Sequence, residues 1–400
     1  MHAAIFRRYR VNAADAGDPC AAPAQPRAAQ DPSRVAVSGS PGQGRIGAID
    51  FARGLAVCLM ILSHGVNGLM PFEDFPDWGQ VPIHALTKFS SSLFVIVFGV
   101  ALAVIFVPKT QAPDWPRRRN KLLLRGLVVL FWYKALTVVE MYGLHEPSDI
   151  LDTLLYLDFP SYVEILGFYA IVLLWVPWLL PLWARTPGLL RWSSPALMAL
   201  LSWWLLRNFD FFGLEQLQAI VVEHPDHYTW GQLARGPLVL LGLLIGALVL
   251  RHYHDRRARL MLAGALATAG AALLLAFWQL AGDEVVEVLR EVARNRGKHP
   301  PELMFMLFSM GGALALLAFA VAGGERLAQA LKPITVIGSD ALMAFVFHIV
   351  VIFVLLRDVL GYYRSVPYEF ALGLTCALIL ATALFIAMLQ WIQRRSWRGT

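Results

Sequence analysis

Charge is scarce in this chain. Asp, Glu, Lys and Arg make up 16% of its 400 residues, against about 25% in ordinary soluble domains. That shortage excludes a typical water-soluble domain. Cysteine is scarcer still. Of Cys20, Cys58 and Cys376, two sit inside apolar stretches and one in the N-terminal region, which excludes a disulfide framework. No metal-ligating set and no permanently bound cofactor are expected. Residues 1–48 lack an apolar run of the seven or more residues that a signal peptide needs. They are rich in Pro, Ala, Gly, Gln and Ser, with Arg7, Arg8, Arg10, Arg27, Arg34 and Arg45 scattered through. That composition cannot build a packed core, so a disordered, basic cytosolic tail is expected there.

What the chain has in abundance is apolar length. Hydrophobic residues reach 58%, mean hydropathy is +0.57, and runs of the roughly 20 residues needed to cross a bilayer recur from residue 49 onward. The expected fold class is all-α, a polytopic transmembrane helical bundle. About ten spans are predicted, at 50–71, 83–107, 121–142, 161–183, 194–207, 234–251, 259–281, 302–322, 334–356 and 369–392, with residues 394–400 as a short basic tail. The fifth is the weakest, opened by Ser193-Ser194-Pro195 and closed by Arg207-Asn208.

The connections alternate in charge. One set carries Lys109 with Arg117, Arg118, Arg119 and Lys121, then Arg185 and Arg191, Arg251 with Arg256, Arg257 and Arg259, Arg326 and Lys332, and the C-terminal arginines. The other set carries Glu73, Asp74 and Asp77, then Glu146, Asp149, Asp152 and Asp158, then Glu223 and Asp226 with His224 and His227. By the positive-inside rule the basic set and both termini lie in the cytosol. The isoelectric point near 9.3 reflects those loops, and no nucleic-acid partner is expected. Residues 283–298 have Val285, Val288, Leu289 and Val292 at helical spacing, with Glu287 and Glu291 each three residues before an arginine. An amphipathic helix on the membrane surface or capping the bundle is expected.

Against this background a few polar residues stand out. Arg53 and His64 are eleven residues apart on the first span, close to three turns. They share one face at a separation of roughly 16 Å, and an ionisable residue inside a span is a functional candidate by default. Asp50, three residues before Arg53, can pair with it and orient its planar fork, which suits a phosphate at the cytosolic mouth. The plainer alternative is an interfacial ion pair that sets helix depth. His64 can serve as general base or as acyl carrier; otherwise it is a structural histidine. His348, some fourteen residues into the ninth span, needs a partner at mid-membrane, and His64 is the simplest one. Lys298-His299-Pro300-Pro301-Glu302 opens the eighth span, where prolines suit a first helical turn; here the alternative is a helix start with snorkelling basic residues. Glu164 opens the fourth span. Glu140 and Lys88 with Ser90, Ser91 and Ser92 are lesser candidates. Trp78, Trp115, Trp175, Trp183 and Trp230 read as belt anchors.

These residues resemble a known group. Arg45-Ile46-Gly47-Ala48-Ile49-Asp50-Phe51-Ala52-Arg53-Gly54-Leu55, followed by His64, resembles the first-helix signature of integral-membrane acyltransferases, the acyltransferase type 3 and heparan-α-glucosaminide N-acetyltransferase-like families. Leu93 through Gly99 is similar to their second helix. Lys298-His299-Pro300-Pro301-Glu302-Leu303 is similar to a Lys-Tyr-Pro-Pro-Ser-Leu stretch of the glucosaminide group, with His299 in place of Tyr. Gly338 through His348 resembles their penultimate span. The resemblance implies transfer of an acyl group, commonly acetyl, from cytosolic acyl-CoA to a sugar, glycan or other hydroxyl or amine acceptor outside. Arg53 and Asp50 would then face the donor. His64 and His348 would be catalytic, and Lys298, His299, Glu302 and Glu164 would stand on the acceptor side or gate it. Direct transfer and an acyl-histidine intermediate both stay open. The expected setting is a bacterial plasma (inner) membrane, with lipid as a further partner. The alternative is a proton-coupled transporter or flippase, although no repeat relates residues 50–207 to 234–392 as transporters often show. A non-catalytic membrane scaffold is the third reading.

Overall fold

A computed structural model describes residues 46–398, so the disordered tail expected for residues 1–48 lies outside the described part up to residue 45, and its last residues, Gly47 and Ala48, already belong to the first helix. The described chain is all-helical. In chain order its longer helices are α1 (Gly47–Asn67), α3 (Phe89–Ile105), α4 (Trp115–Met141), α6 (Glu164–Arg185), α7 (Gly188–Asn208), α9 (Gln232–His252), α10 (Arg256–Ala281), α12 (Leu303–Ala330), α14 (Ala341–Val350) and α15 (Tyr368–Arg398). Short helices α2 (Ala85–Thr87), α5 (Pro147–Leu154), α8 (Glu215–Val222), α11 (Val285–Ala293) and α13 (Lys332–Ser339) lie between them.

Nine helical runs among the described residues are long and apolar enough to cross a membrane. The predicted fifth span is present as α7, and its 21 residues reach about 31 Å at 1.5 Å per residue. It is not among the nine, because Arg191, Ser193, Ser194, Ser202 and Arg207 dilute its apolar character. The predicted ninth span is not one helix. It breaks at Asp340, where the backbone leaves the helical region (φ −139°, ψ 69°) and the side chain accepts from the amide of Met343 to cap α14. The last helix runs to Arg398 without interruption at residue 393.

Leucines and aromatics cover much of the outside, Leu127, Phe131, Leu182 and Leu384 among them, as an apolar solvent permits. Inside, α3 and α9 cross at contact distance. A Cβ on Gly99 would stand 2.3 Å from the carbonyl oxygen of Val239, and one on Gly242 would stand 2.2 Å from that of Ile96. Small residues thus let the two backbones touch, the usual means of tightening helix pairs where lipid offers no hydrophobic drive. Ser92 and Ser309 hydrogen-bond at 2.7 Å across α3 and α12, and Ser309 donates to the carbonyl of Lys88. The bundle is therefore held by packing and a few satisfied polar contacts.

The amphipathic segment forms α11 with the spacing expected of it. Glu287 pairs with Arg290 at 2.6 Å and Glu291 with Arg294 at 3.3 Å. Its apolar face packs on Phe277, Phe305 and Phe308, so α11 caps the bundle. The cap continues through residues 294–302, whose side chains turn inward.

Candidate active site

The first helix fixes the site from both of its ends. At its start, Gly47 N–H donates to Glu325 at 2.8 Å. Nearly two turns on, Arg53 donates to Asp50 at 3.3 Å and to the carbonyl of Gly338 at 3.0 Å. That second contact needs α13 against α1. A Cβ on Gly338 would stand 1.8 Å from the carbonyl oxygen of Asp50, and one on Gly54 would stand 1.9 Å from that of Ile334. Glycine at both positions is what brings the Gly338 carbonyl within reach of the guanidinium.

Eleven residues further, His64 lies against α14. Its Nδ1 is 3.2 Å from Nε2 of His348, and Nδ1 of His348 is 2.9 Å from the carbonyl oxygen of Ala344. A carbonyl only accepts, so His348 carries its proton on Nδ1, and in the neutral ring Nε2 is then the acceptor. His64 consequently donates through Nδ1, and the lone pair of its Nε2 is left for another partner. The ring is stacked on His348 and met edge-on by Tyr162 and Phe345. Tyr162 is itself held, its hydroxyl donating to the carbonyl of Asn67 and its N–H to Glu140. Glu140 thus shapes the turn that seats His64.

His64 lines two adjoining cavities. The larger, of about 750 Å³, is bounded by the turns after α1, before α6 and before α9, and by residues 291–302. The smaller, of about 40 Å³, continues past His64 to Lys88, Ser90 and Ser91. Both are lined by Ser63, Glu164, Asn295 and Lys298 as well. Lys298 donates to Glu164 at 2.9 Å and to the Tyr228 hydroxyl at 2.8 Å, and Lys88 donates to Asn295 at 2.8 Å. The second carboxylate oxygen of Glu164 is buried with no hydrogen-bond partner. Burial alone would lower the pKa of Lys298, but the Glu164 carboxylate and the Tyr228 hydroxyl outweigh it and raise it above the ordinary value.

Behind Lys298 lies a second set. Glu223, fully buried, accepts from Nε of Arg235 at 2.8 Å, and its other oxygen is 2.9 Å from Nδ1 of His299. Arg235 also donates to the carbonyl of Lys298 and stacks over Trp230. Burial pushes the Glu223 carboxyl up, yet Arg235 and His299 hold it below the ordinary range. Burial lowers the pKa of His299 against the pull of Glu223, and its Nε2 lacks a hydrogen-bond partner while the residue lines the larger cavity.

The structure therefore brings His64, His348, Lys298, His299, Glu164 and the more exposed Glu302 to one end of the bundle. Arg53 and Asp50 do not line either cavity; they sit toward the other end of α1. The two prolines are not inside the first turn of α12. They precede its cap residue Glu302, and the turn they shape points Lys298 and His299 into the protein instead of toward the surface. Trp230 is no belt anchor, being buried against Arg235 and the smaller cavity. Glu223, Arg235, Tyr228 and Asn295 escaped the sequence reading. Arg235, an ionisable residue just inside a span, was the available signal. Nor did the sequence mark a metal-ligating set, whereas Glu215, His224 and His227 stand together beside this site with ligand atoms all within 4.8 Å of one another.

Among curated proteins none matches this sequence. The choice left open between transferase, transporter and scaffold is answered by the family: residues 46–389 match the acyltransferase 3 family, described as an acyltransferase domain, and the chain belongs to that family of membrane acyltransferases.

Proposed function

We propose that this acyltransferase moves an acyl group, acetyl in the simplest case, from cytosolic acyl-CoA to a hydroxyl or amine of a sugar, glycan or similar polar acceptor on the outer side of a bacterial plasma (inner) membrane. The observation that carries this reading is the relay from the Ala344 carbonyl through His348 to His64, which leaves Nε2 of His64 available in a polar cavity.

In this mechanism the acceptor binds in the larger cavity. Glu164 and His299 line it, and the oxygen of Glu164 and Nε2 of His299 that lack partners, buried in its wall, would take the acceptor's hydroxyl groups after a small side-chain rotation. Nε2 of His64 takes the proton of the attacking group as its oxygen or nitrogen bonds to the thioester carbon. The carbon–sulfur bond then breaks, and the sulfur takes that proton back from His64, so that coenzyme A leaves as the thiol. The oxyanion that forms in between gains from the ammonium groups of Lys298 and Lys88, which line the cavities beside His64. His348 steadies the imidazolium, much as an orienting group does in hydrolase triads.

Arg53 serves the phosphate-bearing end of the donor, and the donor's extended arm spans the roughly 16 Å to His64. Loop charge supports that polarity. Arg117, Arg118, Arg119, Arg185, Arg256 and Arg257 cluster at the Arg53 end, and acidic loops frame the cavity. With α7 counted as a span, both termini then lie in the cytosol.

The reading is tested by incubating the purified protein with radiolabelled acetyl-CoA and a panel of sugar acceptors, comparing wild type with His64→Ala. Turnover is expected to fall by about 10²–10⁴-fold in the variant. Unchanged turnover would remove His64 from the chemistry.

A further inference from the structure

The connection between α8 and α9 holds a cluster that acyl transfer does not use. His224-Pro225-Asp226-His227 folds into a tight turn, closed by the His227 N–H donating to the carbonyl of His224 at 3.2 Å. The turn sets the two imidazoles side by side, with ring centroids 5.4 Å apart. Glu215, in the first turn of α8, points back at them, its Oε2 3.7 Å from Nε2 of His227. Neither ring nitrogen of His227 has a hydrogen-bond partner, and both atoms are buried. On the other side of that ring, Oδ1 of Asp158 is 4.0 Å from Nδ1. His224 receives the Asp226 N–H on Nδ1 at 3.2 Å, with the Asp226 carboxylate 3.8 Å away.

We propose that Glu215, His224 and His227 bind a divalent transition-metal ion, zinc being the best match. Two imidazoles and a carboxylate are the borderline donor set that zinc takes, with water completing four ligands. One ligand atom from each residue lies within 4.8 Å of the others. Ligand atoms around tetrahedral zinc stand about 3.3 Å apart, given bonds of about 2.0–2.1 Å. A rotation of the exposed Glu215 side chain and a small shift of the turn supply the difference. The surroundings fit as well. With metal on Nε2 of His227, its Nδ1–H faces Asp158. With metal on Nε2 of His224, its Nδ1–H exchanges the backbone contact for the Asp226 carboxylate. Both make the carboxylate–histidine–metal arrangement that fixes imidazole ligands.

The metal would tie α8 to the turn that carries Glu223, Pro225 and Tyr228, respectively the partner of His299, a wall of the larger cavity and a partner of Lys298. It would act as a latch at the cavity mouth. That consequence rests on the proposed acceptor site; metal binding itself does not.

The test uses the full-length chain in detergent, stripped with EDTA, freed of chelator and dialysed against micromolar zinc chloride, with bound zinc measured by mass spectrometry. One zinc per chain is expected in wild type and none at this site in the His224→Ala/His227→Ala variant. Should that variant fail to fold, Glu215→Gln decides, because its side chain is 62% exposed and folding does not depend on it. Its zinc affinity is expected to fall at least about tenfold. Equal zinc in wild type and the double variant, or an unchanged affinity in Glu215→Gln, overturns the proposal. Zinc content that follows the variants while acyl transfer does not would leave the site standing and remove only the latch.

Discussion

Helix α1 carries a polar group toward each of its ends, on one stripe, and their surroundings differ. Arg53 is engaged from two sides, by Asp50 one turn back and by the Gly338 carbonyl of a helix pressed close through two glycines. His64 is engaged on one ring nitrogen only, and the other faces open space. A buried donor without a partner costs roughly 1–3 kcal/mol, so a fold that spends side chains to pin Arg53 yet leaves Nε2 of His64 available separates positioning from chemistry. The cavity end repeats the contrast. Lys298 is held by both Glu164 and Tyr228, while Glu164 and His299 each keep one polar atom unmatched.

The contrast can be broken first at Lys298. Lys298→Met leaves the Glu164 carboxylate buried, its side chain 4% exposed, with its cation gone. Removing one member of a buried pair costs about 3–5 kcal/mol, so a large fall in thermal midpoint in detergent is expected. A fall no larger than that of an outward-facing leucine-to-alanine change would mean the pair is open to water. Next in size is Arg53→Gln. If this arginine only holds the donor, its loss is expected to raise the donor KM on the order of ten- to a hundredfold, as for a charge-assisted hydrogen bond, with kcat little altered. A fall in kcat at unchanged KM would move Arg53 into the chemistry.

The smallest effect is in pH. His299 has a folded pKa below its ordinary 6.5, so the unfolded chain binds the proton more readily. Stability is therefore fully present above about pH 6.5 and is lost as pH falls from there toward the folded value, at up to about 1.4 kcal/mol per pH unit. Glu223, Arg235, Lys298 and Tyr228 surround the ring and stay in place in His299→Asn. Thermal midpoints at pH 7.5 and 5.5 should differ more in wild type than in that variant; parallel shifts would assign the acid sensitivity elsewhere.

Much of this was legible in the sequence where a single helix carries the information. The register of Arg53, Asp50 and His64, the paired charges of α11 and the helical class follow from periods of three to four residues in an apolar background. The approach of His348 to His64 followed from a different argument, the need of a mid-membrane imidazole for a partner. What stayed hidden depends on elements meeting in space. Glu223 and Arg235 look like loop and edge charges until α9 and the turn before it bury them together. Lys298 and His299 look like snorkelling groups until the turn after α11 folds them inward. Asp340 is the exception. Ser339-Asp340 before an apolar run is a local helix-start signal that the uninterrupted hydropathy of residues 334–356 masked. Likewise α7 has the length of a span, and only its serines and arginines keep it from the apolarity of the others.

The most direct measurement is the sidedness of donor use. Vesicles can be sorted by protease access to the exposed turn around Arg256 and Arg257, at the Arg53 end, and supplied with membrane-impermeant acetyl-CoA from outside. The account predicts release of coenzyme A only from vesicles that present this basic end to the added donor. Release from vesicles that present only the His64 cavity would contradict it.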